Sequence, residues 1–148
     1  MPLTLHGTLA DNTDLLITAP SFSAKMGSNQ TVSASTFTKM QVNSEDWDTD
    51  SKYDATAPNY RFTPTVSGYY QFNLAMRGSS TTTNIVALYK NGAVYKRKIA
   101  EGSKYAQLTI IAPSNTTDYF ECWGYTTGTT LDANSVDNNF QAIFVRPL

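Results

Sequence analysis

The stretch Phe62–Leu74, FTPTVSGYYQFNL, opens with turn-forming residues and then places a large apolar side chain at every second position. Tyr70, Phe72 and Leu74 are these alternating residues. Side chains alternate between the two faces of a β-strand, so the three share one face. The pattern predicts a strand over Gly68–Met76 whose Tyr70 face lies in a hydrophobic core.

The rest of the chain repeats this pattern in short runs separated by turn formers, and it carries no sustained helical periodicity. Asn91-Gly92 is the clearest hairpin signal, because this pair readily adopts the positive φ angles of a tight turn. Many short strands at such spacing predict an all-β antiparallel sandwich or barrel. The other predicted strands are Ser21–Met26, Thr36–Asn43, Tyr60–Thr63, Asn84–Lys90, Ala93–Lys98, Tyr105–Ile111, Thr117–Tyr125 and Asn139–Arg146.

The same alternation predicts which side chains form the core. Besides those of the Gly68–Met76 strand, they are Val86, Leu88, Ala106, Leu108, Ile110, Phe120 and Cys122. If Phe120 and Cys122 point inward, Tyr119, Trp123 and Tyr125 point outward together, and Tyr69 is a candidate to join them. We predict that these four residues form a subunit interface, because Tyr and Trp combine a large area with a polar tip. A cluster covered by a loop and a sugar-stacking platform are the alternatives.

Composition excludes several classes of function. The chain has 148 residues, of which 16% are charged, and its net charge is −1. Nucleic acid and anionic membranes attract strongly basic surfaces, so neither is an expected partner. One cysteine, Cys122, cannot form a disulfide within the chain, and the first residues lack the basic start and apolar stretch of a secretory signal. We therefore expect a soluble protein assembled in the cytoplasm.

Residues 1–19 differ from the rest, because they are apolar without the aromatic alternation, and Pro20 separates them from the first predicted strand. We predict an N-terminal arm here and a separate head over residues 20–148. The arm either adds a strand to its own sheet or docks on another chain, and we favour docking. Its apolar residues are Leu3, Leu5, Leu9, Leu15, Leu16 and Ile17.

No catalytic or metal-binding constellation emerges from the sequence. His6 is the only imidazole and lies in the arm, while Cys122 lies in an apolar strand. Asp46, Asp48 and Asp50 alternate like the start of a calcium loop, but Ser51 replaces the required glycine and Ala57 stands in place of the final Glu. We interpret this acidic run as a solvated edge. The protein is predicted to be no enzyme and to need no cofactor or metal.

Several spaced motifs resemble the globular head of the C1q and tumour-necrosis-factor-like superfamily. Phe62, Gly68, Tyr70 and Phe72 keep that family's F-x5-G-x-Y-x-F spacing. Four further segments keep its other signatures: PSFSA at Pro20–Ala24, the F-x5-N pair Phe37 and Asn43, the V-x-L-x-x-N-G run from Val86 to Gly92, and NNFQAIFV at Asn138–Val145. The departures are a longer segment between Asn43 and Phe62, Leu74 in place of an aromatic residue, and Ala142 and Ile143 in the closing strand.

This resemblance implies a jelly-roll sandwich that forms a tight homotrimer. A trimeric head with an apolar arm and no secretion signal suits a structural protein of a virus particle. We therefore expect a bacteriophage capsid cement or decoration protein on the virion surface, whose partner is the major capsid protein or another virion protein. The alternatives are the receptor- or glycan-binding tip of a phage tail fibre and a secreted C1q-like recognition protein. Asn29 and Asn115 lie in glycosylation-type sequences that fit the last alternative.

Overall fold

The computed structural model describes residues 19–133 and 137–148. The predicted arm therefore lies outside the described residues, except for Ala19. The strands are β1 (Phe22–Lys25), β2 (Gln30–Thr31), β3 (Thr38–Lys39), β4 (Ser44–Asp48), β5 (Tyr53–Asp54), β6 (Arg61–Phe62), β7 (Gly68–Arg77), β8 (Thr83–Lys90), β9 (Ala93–Glu101), β10 (Tyr105–Ser114), β11 (Phe120–Thr126), β12 (Thr130–Leu131) and β13 (Asn139–Arg146). Within these residues no helix is long and apolar enough to cross a membrane.

Two antiparallel sheets pack face to face. The five-stranded sheet has the order β10-β7-β13-β1-β4, and the six-stranded sheet has the path β5-β6-β11-β8-β9, with β3 also paired to β11. β2 and β12 form a small separate ribbon. Strands that are neighbours in a sheet are often far apart in the chain, as β1 and β13 are. The predicted all-β antiparallel sandwich is confirmed.

The core between the sheets contains the side chains that the alternation predicts. Tyr70, Phe72, Val86, Leu88 and Phe120 are completely buried. Each of these large side chains stabilises the fold by about 1.5–3 kcal/mol through burial. Phe72 and Phe120 join the two sheets directly, because their ring centroids lie 4.4 Å apart. Leu108 and Ile110 are only partly buried, because their strand, β10, lies at the sheet edge.

The Asn91-Gly92 hairpin is confirmed. Both residues have positive φ, 54° and 79°, as a tight turn between β8 and β9 requires. The Asn91 side chain donates to Asp118 and accepts from the Tyr119 N–H, so the hairpin is tied to the chain just before β11. Burial alone would raise the pKa of Asp118, but hydrogen bonds from Asn115 and Asn91 and the ion pair with Lys90 outweigh it and lower that pKa.

Two predictions about the segment between residues 36 and 50 need correction. Only Thr38–Lys39 of the predicted strand Thr36–Asn43 pairs with a neighbour, because β11 offers it only a short free edge beyond β6. The acidic run, interpreted above as a solvated edge, is indeed exposed, but it is expected in a long loop, whereas Ser44–Asp48 is an edge strand paired with β1. Its acidic side chains are compatible with a strand because the outer edge of β4 faces solvent.

Candidate association surfaces

The structure divides the four predicted interface residues between the two sheets. Trp123 and Tyr125 lie on the outward face of the six-stranded sheet, and Tyr119 directly precedes the same strand. Tyr69 lies on β7 and points outward from the five-stranded sheet. Because these faces lie on opposite sides of the sandwich, the four residues do not form one surface. Their role in contacting another subunit stays a prediction.

The outward aromatic residues of the six-stranded sheet pack on one another within the subunit. Trp123 stacks on Tyr89 with ring centroids 4.4 Å apart and planes 16° apart. Phe37, from the segment before β3, lies 5.3 Å from Tyr125 and 6.5 Å from Tyr89. All four residues are half-buried as a result. This arrangement corresponds most closely to the alternative of a cluster covered by a loop.

An ion pair lies beneath this cluster. Lys39 Nζ lies 2.6 Å from Glu121 Oε1, and the Trp123 indole N–H donates to Glu121 Oε2 at 3.0 Å. Glu121 is 4% exposed, so its charge depends on these two partners. The Lys39 ammonium also donates to the carbonyls of Pro58 and Asn59 and lies 5.9 Å from the Trp123 ring. The indole therefore has Tyr89 and Lys39 as neighbours, which argues against a free sugar-stacking platform.

Replacing Lys39 with Met is expected to lower the free energy of unfolding by about 2–3 kcal/mol. The loss is smaller than for a fully buried pair because the Lys39 side chain is 24% exposed. Urea denaturation measures it, with Lys52→Met as the control; this lysine forms no ion pair with a described residue, so its replacement should change stability by no more than about 0.5 kcal/mol. Equal stabilities of the two variants would contradict the role given to this pair.

The outward face of the five-stranded sheet has a different character, because large apolar side chains on it are uncovered. Tyr105 and Ile111 on β10 are each 48% exposed, and Ile143 on β13 is 44% exposed. Val145 and Trp47 extend this set along β13 and β4. Ile111 and Ile143 flank Gln71 from its two neighbouring strands. The single subunit therefore leaves apolar area in water here, as proteins do where they bind another protein.

Neutral polar side chains cross the middle of the same face. Thr109 donates to Asn73 at 3.0 Å, and Gln141 donates to Ser23 at 3.0 Å. These residues occupy matching positions on β10, β7, β13 and β1. Neutral amides and hydroxyls both donate and accept hydrogen bonds, so they can pair with copies of themselves without charge repulsion. Such a row is compatible with a symmetric assembly.

Two carboxylates of the acidic run and the single thiol are engaged within the subunit. Asp46 is paired with Lys25, and Asp48 accepts the Tyr53 N–H at 2.8 Å, so neither is a free ligand. Cys122 is buried beside Met40, and burial raises the pKa of its thiol, which keeps it protonated and unreactive. No group of three His, Cys, Asp or Glu side chains that could hold a metal occurs among the described residues.

Two surface clefts of about 310 and 320 Å³ lie near the short strands of the six-stranded sheet. The first, beside Lys39, is lined mainly by Gln41, Pro58 and Tyr60, and the second contains Asp54 and Arg61. Two of the three charged residues that line the second cleft, which also includes Lys52, are already engaged: Asp54 accepts from Thr56 and Asn59, and Arg61 lies 4.9 Å from the Tyr119 ring. Neither cleft offers a free acid and base in contact.

No protein-family model and no curated protein matches this chain. Solved structures do resemble it. Murine APRIL matches with a TM-score of 0.69 at 9% identity, over 86% of this chain and 99% of its own. The globular domain of zebrafish complement 1qA matches with a TM-score of 0.64 at 13% identity, over 87% and 99%. The PRD1 vertex protein P5 matches with a TM-score of 0.62 at 13% identity, over 86% and 96%.

These likenesses establish the fold. The chain is an antiparallel jelly roll of the TNF and C1q type, in agreement with its motifs.

Proposed function

We propose that the protein is a non-enzymatic structural component of a virus particle, a homotrimeric capsid cement or decoration protein. The observation that carries this proposal is the outward face of the five-stranded sheet, which displays Tyr105, Ile111, Ile143 and Val145 around a neutral polar row. A face of this composition is typical of a protein–protein contact rather than of a catalytic site. The likeness to a protein described as a vertex protein adds support for a structural role.

The proposed homotrimer uses this face, and Tyr69 is the one predicted interface residue that belongs to it. Ile111 and Ile143 supply apolar area, and the Tyr69 ring, with Arg146 4.7 Å from its centroid, extends the surface at one end. Trp123 and Tyr125 are not needed for this contact, because they are packed within their own subunit. A trimer is the assembly that the C1q-like motifs imply.

The proposed partner of the trimer is the major capsid protein, held by the apolar arm of residues 1–19. The absence of an enzymatic role is supported by the occupied carboxylates and the buried thiol. The fibre-tip alternative needs an exposed ligand platform, and the neighbours of Trp123 make the predicted aromatic face a poor candidate for one. The secreted alternative is supported by the exposed glycosylation-type sequences at Asn29 and Asn115, which bear on neither of the other two functions.

Imaging of purified virions of the virus that encodes this chain tests the proposal. Cryo-electron microscopy should reveal threefold projections on the capsid surface that fit the jelly roll, and light scattering should give the isolated protein a trimer mass at about micromolar concentration. Density at the tip of a tail fibre would favour the alternative function. Absence of the protein from the particles would overturn the assignment to a virion.

A further inference from the structure

Two edge strands of the sandwich carry opposite charge. β9, at one edge of the six-stranded sheet, has three consecutive exposed cations, Lys96, Arg97 and Lys98. β4, at one edge of the five-stranded sheet, has exposed Glu45 and Asp46 around Trp47. Charges on edge strands commonly prevent edge-to-edge aggregation. Charges of opposite sign on two edges favour association instead, because the basic edge of one copy attracts the acidic edge of another.

The two edges lie on opposite flanks of the sandwich. β9 packs beside β10, and β4 lies four strands away from β10 across the five-stranded sheet. At about 4.8 Å per strand, this separation is about 19 Å. The basic and acidic edges of one subunit are therefore too far apart to satisfy each other.

Most of these charges form no ion pair with another described residue of the same subunit. Across residues 19–133 and 137–148, Lys96, Lys98 and Glu45 make no ion pair, whereas Asp46 is paired with Lys25. The exposed apolar residues divide in the same way. Val94, Ile99, Tyr105 and Ile111 lie on the basic flank, Trp47 lies on the acidic edge, and Ile143 and Val145 lie on β13, the central strand of the five-stranded sheet. Each flank thus combines apolar area with charge of one sign.

We propose that the basic β9–β10 flank of one subunit packs against the outward face between β13 and the acidic edge strand β4 of the next subunit, so that three copies close into a ring. This inference rests on the proposed homotrimer and specifies its contact. A two-fold contact through either edge would bring like charges together, whereas a head-to-tail contact joins opposite charges and forms a ring when the rotation between subunits closes after three copies. The neutral polar row runs across the five-stranded sheet from β10 to β1, between the edge strands β9 and β4. Charge therefore determines the direction in which the ring assembles.

Charge reversal tests this contact in the full-length protein. One variant carries Lys96→Glu and Lys98→Glu, a second carries Glu45→Lys and Asp46→Lys, and a third carries all four changes. Each single-edge variant places like charges in contact and is expected to weaken trimer formation about tenfold or more. The four-fold variant restores opposite charges and should return to within about threefold of the wild type. Sedimentation velocity measures the association.

Two controls separate folding from association. Lys25→Gln breaks the ion pair with Asp46 but leaves the acidic edge more negative, so its trimer should be at least as stable as the wild type. Circular dichroism should show the same β-sheet signal for all variants.

Wild-type association should also weaken between about 0.1 M and 1 M NaCl, as the screening length falls from about 10 Å to 3 Å.

The outcomes distinguish this contact from the proposed trimer itself. A monomeric wild type would overturn both. A stable trimer that is insensitive to salt and to either reversal would overturn the edge contact and leave the trimer standing. Loss of association in the four-fold variant, with its fold intact, would also contradict the pairing of these two edges.

Discussion

Replacing Ile143 with Asp is expected to convert the trimer into a folded monomer. The side chain is 44% exposed in the single subunit, so the change costs little stability within that subunit. In the proposed assembly, however, the new carboxylate would lose its water without gaining a partner, and it would do so three times per trimer. We expect the dissociation constant to rise about 100-fold or more, which corresponds to about 3 kcal/mol.

Light scattering and sedimentation measure this effect. Ala34→Asp is the matched control, because it adds the same charge at an exposed position near the six-stranded sheet. This control should remain trimeric. If Ile143→Asp also remains trimeric while its circular dichroism is unchanged, the five-stranded sheet is not the association face, and the Trp123 cluster again becomes the candidate.

Removing residues 1–18 is expected to leave a folded trimer that no longer binds capsids. The head keeps its sheets, because β1 begins at Phe22 and its pairing with β13 and β4 is independent of the arm. Three arms on one trimer act together, since the first to bind holds the others at high local concentration, which strengthens attachment by about 100- to 10,000-fold. Truncation should therefore reduce occupancy on stripped particles from saturation to near zero.

A side-chain variant separates the chemistry of the arm from its length. Replacing Leu3, Leu5 and Leu9 with Asn keeps the full arm but removes half of its six large apolar residues. This variant should bind clearly less than the wild type in the same occupancy assay. Full occupancy by the truncated head would show that the arm does not attach it, and would favour the fibre-tip function.

The core and the hairpin could be predicted because their signals are local. Alternation in GYYQFNLAM identifies a buried face within one strand, and Asn91-Gly92 determines a turn through its own backbone preferences. β2, β5 and β12 could not be predicted in this way, since pairs of residues are too short to show a period. β4 has an acidic sequence of low strand preference, and its pairing with β1 determines its structure.

The association surface was only partly predictable. Alternation indicates that Tyr69 and Trp123 point outward, but it does not reveal which sheet each strand joins, because that depends on pairing between distant segments. One signal for the five-stranded face was present in the sequence. Ile110 and Ile111 are adjacent, as are Ile143, Phe144 and Val145, and adjacent strand residues point to opposite faces. At least one residue of each group must therefore lie outside the core.

The pairing of β1 with β13 also determines where a foreign domain could be attached. Because Phe22 pairs with Ala142, the chain enters β1 at the end of the sandwich where β13 finishes. On β7, Tyr69 lies at this end of the sandwich and Arg77 lies at the opposite end. The two residues are separated by about 27 Å along the strand. The turn at Gly102, which joins β9 to β10, lies at the Arg77 end, and a side chain at Gly102 would meet no atom within 4 Å. In the proposed assembly on a capsid, an antigen or enzyme inserted there would lie at the end of the head opposite to Phe22, whereas one fused after Leu148 would lie at the same end as Phe22, where the arm joins the head.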